Sequence, residues 1–477
     1  MTETDHNGEW AWAAALAATV TVALVLGWVG FIASDDALYF RGAELWLERP
    51  PFAGDDHWTT RFPVVLTFAA AIALAATGVA AFSVHSLFWY AVTIATVWLV
   101  AREVGGQRAA WLAAVLTAVT PVVAVNASIV NCDLAEASFL LLGALLLSRA
   151  GTRGAMIGAG MTFGLALLSR ETAVLALTGM LALFALGRPI ARGRLFVAGI
   201  GIVAVLAAEM AFQWATTGDP LHRYTLAYSH DSTLDRAAGL EGNLLVHPAI
   251  DPLLALLVNN EFGLLFWLAP LAVWFVRDRL GSPLGAILAA LAVANIVLVS
   301  ALSTKLVLNP RYFTIAALVA IVFVAVWLAR LSWRWQALVG GGTAIVALAL
   351  LSLGNAHPQW PVEALVKAAQ AHPDRRVIAE ADVVARAELS LRFAGVTNAS
   401  GGPAQPGDLA LGAEAPDGAT VLATYPTPPR PAGAILERLG LELLLPHTVA
   451  QRLTQTGPTL ALWQVGPPAR SPRHGRN

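Results

Sequence analysis

The chain reads as a polytopic α-helical membrane protein of about eleven spans, followed by a small C-terminal extracytoplasmic α/β domain. Three observations predict this. Of 477 residues, 57% are hydrophobic and only 13% charged, with a mean hydropathy of +0.65, whereas a soluble domain carries about 25% charged residues. Apolar runs separated by short polar breaks recur as far as Leu353. From Gly354 onward proline, glycine and charge rise, and no run is long enough to cross a bilayer, which takes about 20 residues. The net charge of −1 gives no reason to expect nucleic acid as a partner. The single cysteine, Cys132, cannot close an intramolecular disulfide and lacks partners for a thiolate metal site.

The first span is expected over Trp10–Ala33, a run that exceeds a signal-peptide core and so reads as a retained helix. Val79–Ala101 returns, and further crossings follow near Ala109–Asn126, Leu134–Ser148, Gly154–Ser169, Thr172–Gly187 and Leu195–Trp214. The last four lie near Asn259–Val276, Pro283–Ala301, Tyr312–Ala329 and Gln336–Leu353. This order places Arg102, Arg108, Arg149, Arg153, Arg188, Arg192, Arg194, Arg277, Arg279, Arg330 and Arg334 in the cytoplasm, as the bias of lysine and arginine toward cytoplasmic loops requires. The N-terminus is then inside and the C-terminus outside. The apolar stretch Phe62–Gly78 would reverse every later loop if it spanned, so it is expected to be interfacial or re-entrant and packed against protein.

The expected domains are a multi-spanning part, 1–353, with an external loop over 34–62, and an extracytoplasmic part, 354–477. In the latter, Arg376–Glu380 and Thr420–Thr424 read as strands, and Ala381–Phe393 and Ala432–Leu439 as amphipathic helices. Ser400–Gly418 reads as a linker or long loop, and Pro467–Asn477 as a disordered tail.

Charges that the topology brings to the outer surface are the candidates for chemistry. They are Asp35, Asp36, Arg61, Asp133, Arg170, Glu171, Lys305 and Arg311; ionisable groups at membrane depth are costly and often functional. Each has a plainer reading. Ser34 can cap an interfacial helix whose dipole favours the two acids, Asp133 can cap the next helix, and Arg170 can form a structural ion pair with Glu171 or another acid. Lys305 and Arg311 can be anchors that snorkel to water. Tyr39 reads as an interfacial aromatic more than a sugar-stacking residue. His57, His222 and His230 match no zinc spacing, so a divalent metal stays open but is not indicated, and no other cofactor is called for. The segment Ala215–Ile250 is long enough to cover a site or merely to connect two spans.

The segment Ser34-Asp35-Asp36-Ala37-Leu38-Tyr39-Phe40 resembles the Asp-Glu/Asp-x-x-Tyr signature of membrane glycosyltransferases with the GT-C fold. The match is best with glycosyltransferase family 39, which includes protein O-mannosyltransferases and the lipid A aminoarabinose transferase. Leu168-Ser169-Arg170-Glu171-Thr172 looks like the family's Leu-Thr-Lys-rich turn, and Asn309-Pro310-Arg311-Tyr312 resembles the Arg-Tyr that begins a late helix. The break Asn131-Cys132-Asp133 supplies a second outer acid. One departure is His57-Trp58-Thr59-Thr60-Arg61-Phe62-Pro63, where the family often has His-Pro-Pro.

The resemblance implies transfer of a sugar from a polyprenyl-phosphate donor to a glycan, lipid or protein acceptor at the outer face of the cell membrane, among membrane lipids. A carboxylate in reach of the acceptor would take its proton; Asp35 is the expected base, with Asp36 orienting it or the acceptor and Asp133 positioning acceptor or sugar. A fixed cation would stabilise the leaving phosphate, with Arg170, Lys305 and Arg311 as candidates, arginine offering bidentate contact. Tyr39, Arg61 and Tyr312 complete the expected substrate contacts. Two other classes compete. A transporter or flippase for a lipid-linked sugar would place charges at mid-membrane on broken helices within repeated halves, and no internal repeat is visible. A membrane scaffold with a binding domain would leave the clustered acids unexplained.

Overall fold

The computed structural model describes residues 3–75, 78–233, 246–303, 308–354, 359–454 and 457–466. The chain divides into two compact units, one of Met1–Gly30 with Leu38–Gly354, the other of Phe31–Ala37 with Asn355–Asn477. The short segment carrying the acid pair thus belongs to the second unit, where the expected boundary at 353 had left it in the first.

The first unit is helical. Among the described residues, six helices are long and apolar enough to cross a membrane: Glu9–Gly27, Gly78–Gly105, Arg192–Thr217, Pro283–Ala301, Pro310–Ala329 and Trp333–Gly354. The pair Gln107–Val119 and Pro121–Ala127, bent by 70°, makes a seventh if taken as one span. The bend falls at Pro121, whose ring cannot continue the preceding helix. The other four expected spans lie on shorter or broken helices. Asp133–Arg149 and Arg153–Ser169 have 17 residues each, about 25 Å of rise against a hydrocarbon core of about 30 Å. Thr172–Gly187 is split into Ala173–Leu177 and Gly179–Leu186, and the region around Asn259–Val276 into Asp251–Val258 and Leu265–Phe275.

The core centres on Thr314–Ala329, buried from Thr314 to Leu328; a helix apolar on every side belongs inside a bundle. A second tight contact joins Arg153–Ser169 to Arg192–Thr217. A Cβ on Gly160 would come within 1.8 Å of the Ala198 carbonyl oxygen, and one on Gly201 within 2.1 Å of that of Ile157. The two backbones therefore touch, as small residues at a helix crossing allow. Phe62–Ala75 is a helix of 14 residues, about 21 Å long. It buries Phe62, Val64, Val65 and Phe68, and Phe68 packs on Phe82 with ring centroids 4.9 Å apart.

The second unit contains a five-stranded sheet, ordered β2-β1-β3-β5-β4. The strands are β1 Val377–Ile378, β2 Ala399–Ser400, β3 Leu409–Gly412, β4 Val421–Tyr425 and β5 Leu460–Gln464. The β1–β2 and β1–β3 pairs are parallel, and β5 runs antiparallel to β3 and β4. Alternate residues of β3 and β5 face a core of Leu365, Ala368, Val377, Leu391, Leu409 and Leu462, supplied in part by the helices Trp360–Ala371 and Ala381–Phe393. Two strands and two helices fall where the sequence places them, the second helix starting one residue early with a proline at its first position, which a helix tolerates there. Ser400–Gly418 is corrected: it is not simply a linker, because β3 lies within it. The expected tail Pro467–Asn477 lies outside the described residues.

Candidate functional site

The acid pair opens the helix Asp35–Glu48 after a tightly held loop. Asp36 is fully buried and accepts three backbone N–H groups: Ile32 at 2.7 Å on Oδ2, and Ser34 at 2.8 Å and Ala37 at 3.0 Å on Oδ1. Beside it Ala33 has φ +51°, a left-handed conformation rare for a residue with a Cβ, and the carboxylate clamp holds the loop in it. The carbonyl oxygen of Ile32 accepts from Gln359 Nε2, and from Arg386 Nη2 at 3.4 Å, so the loop is stitched into the second unit. Burial pushes the Asp36 carboxyl up to about 6; the three N–H groups pull it down and the neighbouring Asp35 pushes it up. Asp35, on the first turn, is partly exposed.

Within the first unit, three guanidiniums and three carboxylates form two linked groups. Glu171 is the hub of one. Arg61 Nη2 donates to Glu171 Oε2 at 3.1 Å, and Arg223 reaches Oε1 through Nη2 at 2.7 Å and Nε at 3.1 Å. Arg223 also donates to the carbonyls of Leu167 and Leu168 at 3.0 Å and of Thr60 at 3.3 Å, and its side chain is 1% accessible. The Leu167 and Leu168 carbonyls lie in the last turn of the Arg153–Ser169 helix, where carbonyls lack intrahelical donors. Arg61 further donates to the Tyr39 hydroxyl at 2.6 Å and the Cys132 sulfur at 3.6 Å. Burial alone would raise the Glu171 carboxyl, but Arg61 and Arg223 outweigh it and hold it well below the usual carboxylate range.

The second group pairs Arg170 with Asp133, Glu136 lying 3.8 Å from the same guanidinium nitrogen. The Arg170 guanidinium lies over the Tyr312 ring, 4.3 Å from its centroid. Asp133 starts its helix with its N–H on Asn131 Oδ1 at 3.1 Å, and Oδ2 is buried without a hydrogen-bond partner among the described residues. Arg311 sits on the short turn Pro310–Phe313, its N–H accepted by Asn309 Oδ1 at 3.0 Å.

Several expectations change. Tyr39, expected as an interfacial aromatic, is fully buried, and Arg61 is nearly so. Of the pairings the sequence left open to Arg170, Glu171 or another acid, the structure has the second, with Asp133. Lys305 lies outside the described residues. His57 is buried against Trp58, with centroids 3.9 Å apart, and His222 Nε2 is 3.0 Å from the Gly54 carbonyl oxygen. Among the described residues no group of three His, Cys, Asp or Glu side chains could hold a metal ion. Arg223 and Glu136 were not singled out from the sequence. An arginine one turn into a long external segment, or a second acid one turn after Asp133, was the available signal, and both are common on solvated faces.

Residues 61–214 match the family model described as dolichyl-phosphate-mannose-protein mannosyltransferase. A comparison with curated proteins finds no match. Among solved structures, ArnT from Cupriavidus metallidurans in the apo state is similar at a TM-score of 0.59 and 13% identity, covering 88% of this chain and 97% of that one. The same protein bound to undecaprenyl phosphate matches at 0.51 and 13% identity, over 87% and 96% of the two chains. The chain therefore has the GT-C fold of these membrane proteins and, over residues 61–214, the sequence pattern of the dolichyl-phosphate-mannose-protein mannosyltransferase family.

Proposed function

We propose that the protein moves a sugar from a polyprenyl-phosphate donor to an acceptor at the outer face of the cytoplasmic membrane, with Asp35 as general base. The observation that carries this is the division of labour within the acid pair. Asp36 has both oxygens engaged by backbone N–H groups in a fully buried loop, so its role is to hold the loop. Asp35 remains partly exposed at the start of the next helix. In the reaction the acceptor's nucleophile attacks the anomeric carbon, its proton passes to the Asp35 carboxylate, and the phosphate leaves with the bonding electrons. The undecaprenyl phosphate bound by the C. metallidurans protein supports a lipid-phosphate donor.

For the leaving phosphate, the geometry favours Arg311 over Arg170. The Arg170 guanidinium is buried, stacked on Tyr312 and paired with Asp133, which suits a structural strut. Arg311 is partly exposed on a turn that opens the buried Thr314–Ala329 helix. The arginine-rich short loops, which favour the cytoplasmic side, support an extracytoplasmic C-terminal unit.

The test is turnover by purified Asp35→Asn with a polyprenyl-phosphate sugar. A loss of ~10²–10⁴-fold with donor affinity retained is expected for removal of a general base. A rate close to the unmodified protein would remove Asp35 from the chemistry.

A further inference from the structure

The second unit packs a core of apolar side chains around its sheet, and leaves one dense group of them outside it. Of the seven exposed large apolar side chains among its described residues, Val421, Leu422, Ile435, Leu439, Leu441, Leu443 and Leu444, the last five fall within ten residues. Leu443 and Leu444 are 86% and 77% exposed, and Leu439 64%. The helix Pro431–Leu439 explains why they point outward. Its Gly433 is seated on the following helix, so close that a Cβ would lie 2.2 Å from the Leu453 carbonyl oxygen. Ile435 and Leu439 are four residues apart and share a stripe about 100° wide or more on the other side. Gly440, at φ +64°, ends the helix in the left-handed cap that glycine favours. The chain then turns into Leu441–Leu445 as a protruding tip.

We propose that this leucine tip inserts into the interfacial layer of a phospholipid bilayer. A continuous exposed apolar patch marks a surface that meets another apolar phase, and the tether of this unit says which phase is at hand. The membrane-length helix Trp333–Gly354 ends five chain steps before Gln359, at most about 18 Å of extended chain. At its other end the unit includes Phe31–Ala37, which directly follows the membrane-length helix Glu9–Gly27 by only three residues. No linker is long enough to carry the unit away from lipid. The charges around the tip are mixed, with Arg438 beside Glu437 and Glu442. Insertion is therefore driven by apolar burial, and anionic lipid content has little effect on it.

The experiment uses the full chain, one copy per lipid nanodisc, with Leu443→Cys carrying an environment-sensitive fluorophore; Cys132 is buried and stays unlabelled. Asp417→Cys, on an exposed turn of the same unit, is the aqueous reference. Nitroxide lipids labelled near the headgroup should quench the Leu443 probe at least twofold, and aqueous iodide should reach it several-fold less than the Asp417 probe. The same result is expected with zwitterionic and with anionic lipid. Two results overturn the proposal. Iodide quenching equal at both sites puts the tip in water, and protection from both quenchers puts it against protein. Leu444→Cys repeats the measurement, so a local effect of one label cannot decide it.

Discussion

Asp36 in the second unit and Glu171 in the first are both carboxylates withdrawn from water, yet their environments drive them in opposite directions. Asp36 is met by dipoles: three backbone N–H groups at 2.7–3.0 Å. Burial prevails and its carboxyl rises to about 6. Glu171 is met by charges: the Arg61 and Arg223 guanidiniums outweigh burial and hold it down. Full opposite charge offsets desolvation where dipoles only reduce it. The stability consequences carry opposite signs. With a folded value above its unfolded one, Asp36 binds more protons in the folded state, so its contribution is complete below about pH 4 and lost as pH rises through about 6. Glu171 contributes fully above its unfolded value of 4.5 and loses that contribution only in strong acid.

The largest expected effect separates chemistry from scaffolding. Asp35→Asn should cut turnover by ~10²–10⁴-fold without lowering the thermal midpoint, whereas Glu171→Gln should do its first damage to stability. The latter leaves two buried guanidiniums without a counter-charge, at a cost of about 3 kcal/mol. A midpoint within a degree of the unmodified protein would show the Glu171 hub to be dispensable. Next comes the contrast between arginines. Arg170→Ala strands Asp133 and should also cost about 3 kcal/mol, with donor affinity intact in the protein that remains folded. Arg311→Ala should instead weaken donor binding roughly tenfold, a loss in the range of a charge-assisted hydrogen bond, at unchanged midpoint. The reverse pattern in a binding titration would exchange their roles. The smallest effect is the most specific: Asp36→Asn should flatten the fall in stability between about pH 4 and pH 6. A slope identical to that of the unmodified protein in denaturant titrations would mean that another group sets it.

What could be read from the sequence follows from where its signal is local. Hydropathy marks Pro283–Ala301 at both ends and Gly78–Gly105 to within one residue at its start and four at its end, because a bilayer-length apolar run needs no knowledge of its neighbours. It cannot tell a 17-residue helix ending at Ser169 from a full span, since the cut-off comes from the turn that brings Arg170 onto Asp133. In the second unit, the alternating Val421–Tyr425 strand and the amphipathic Ala381–Phe393 helix carry their own periodicity. Strand β3, four residues of Leu-Ala-Leu-Gly amid glycine and proline, exists only through pairing with β1 and β5. The acid pair stood out by its position after an apolar run. The partners of Glu171 did not, because Arg61, Arg223 and Glu171 are separated by 110 and 52 residues and meet only through the packing of three segments.

That packing has a consequence for motion. The Gly160–Gly201 contact brings two helices together with no side chain between their backbones. A joint of this kind has no soft layer to compress or rotamers to rearrange, so slow breathing of the first unit should leave it closed while neighbouring helices separate. Amide hydrogen exchange should show this directly, with protection around Gly160 and Gly201 outlasting that of the Phe62–Ala75 helix. Gly160→Ala would pry the joint open by the width of a methyl group. It would then pass the displacement along the Arg153–Ser169 helix to the carbonyls that Arg223 holds at its end, making a residue far along the helix a remote control on the geometry of the ionic hub.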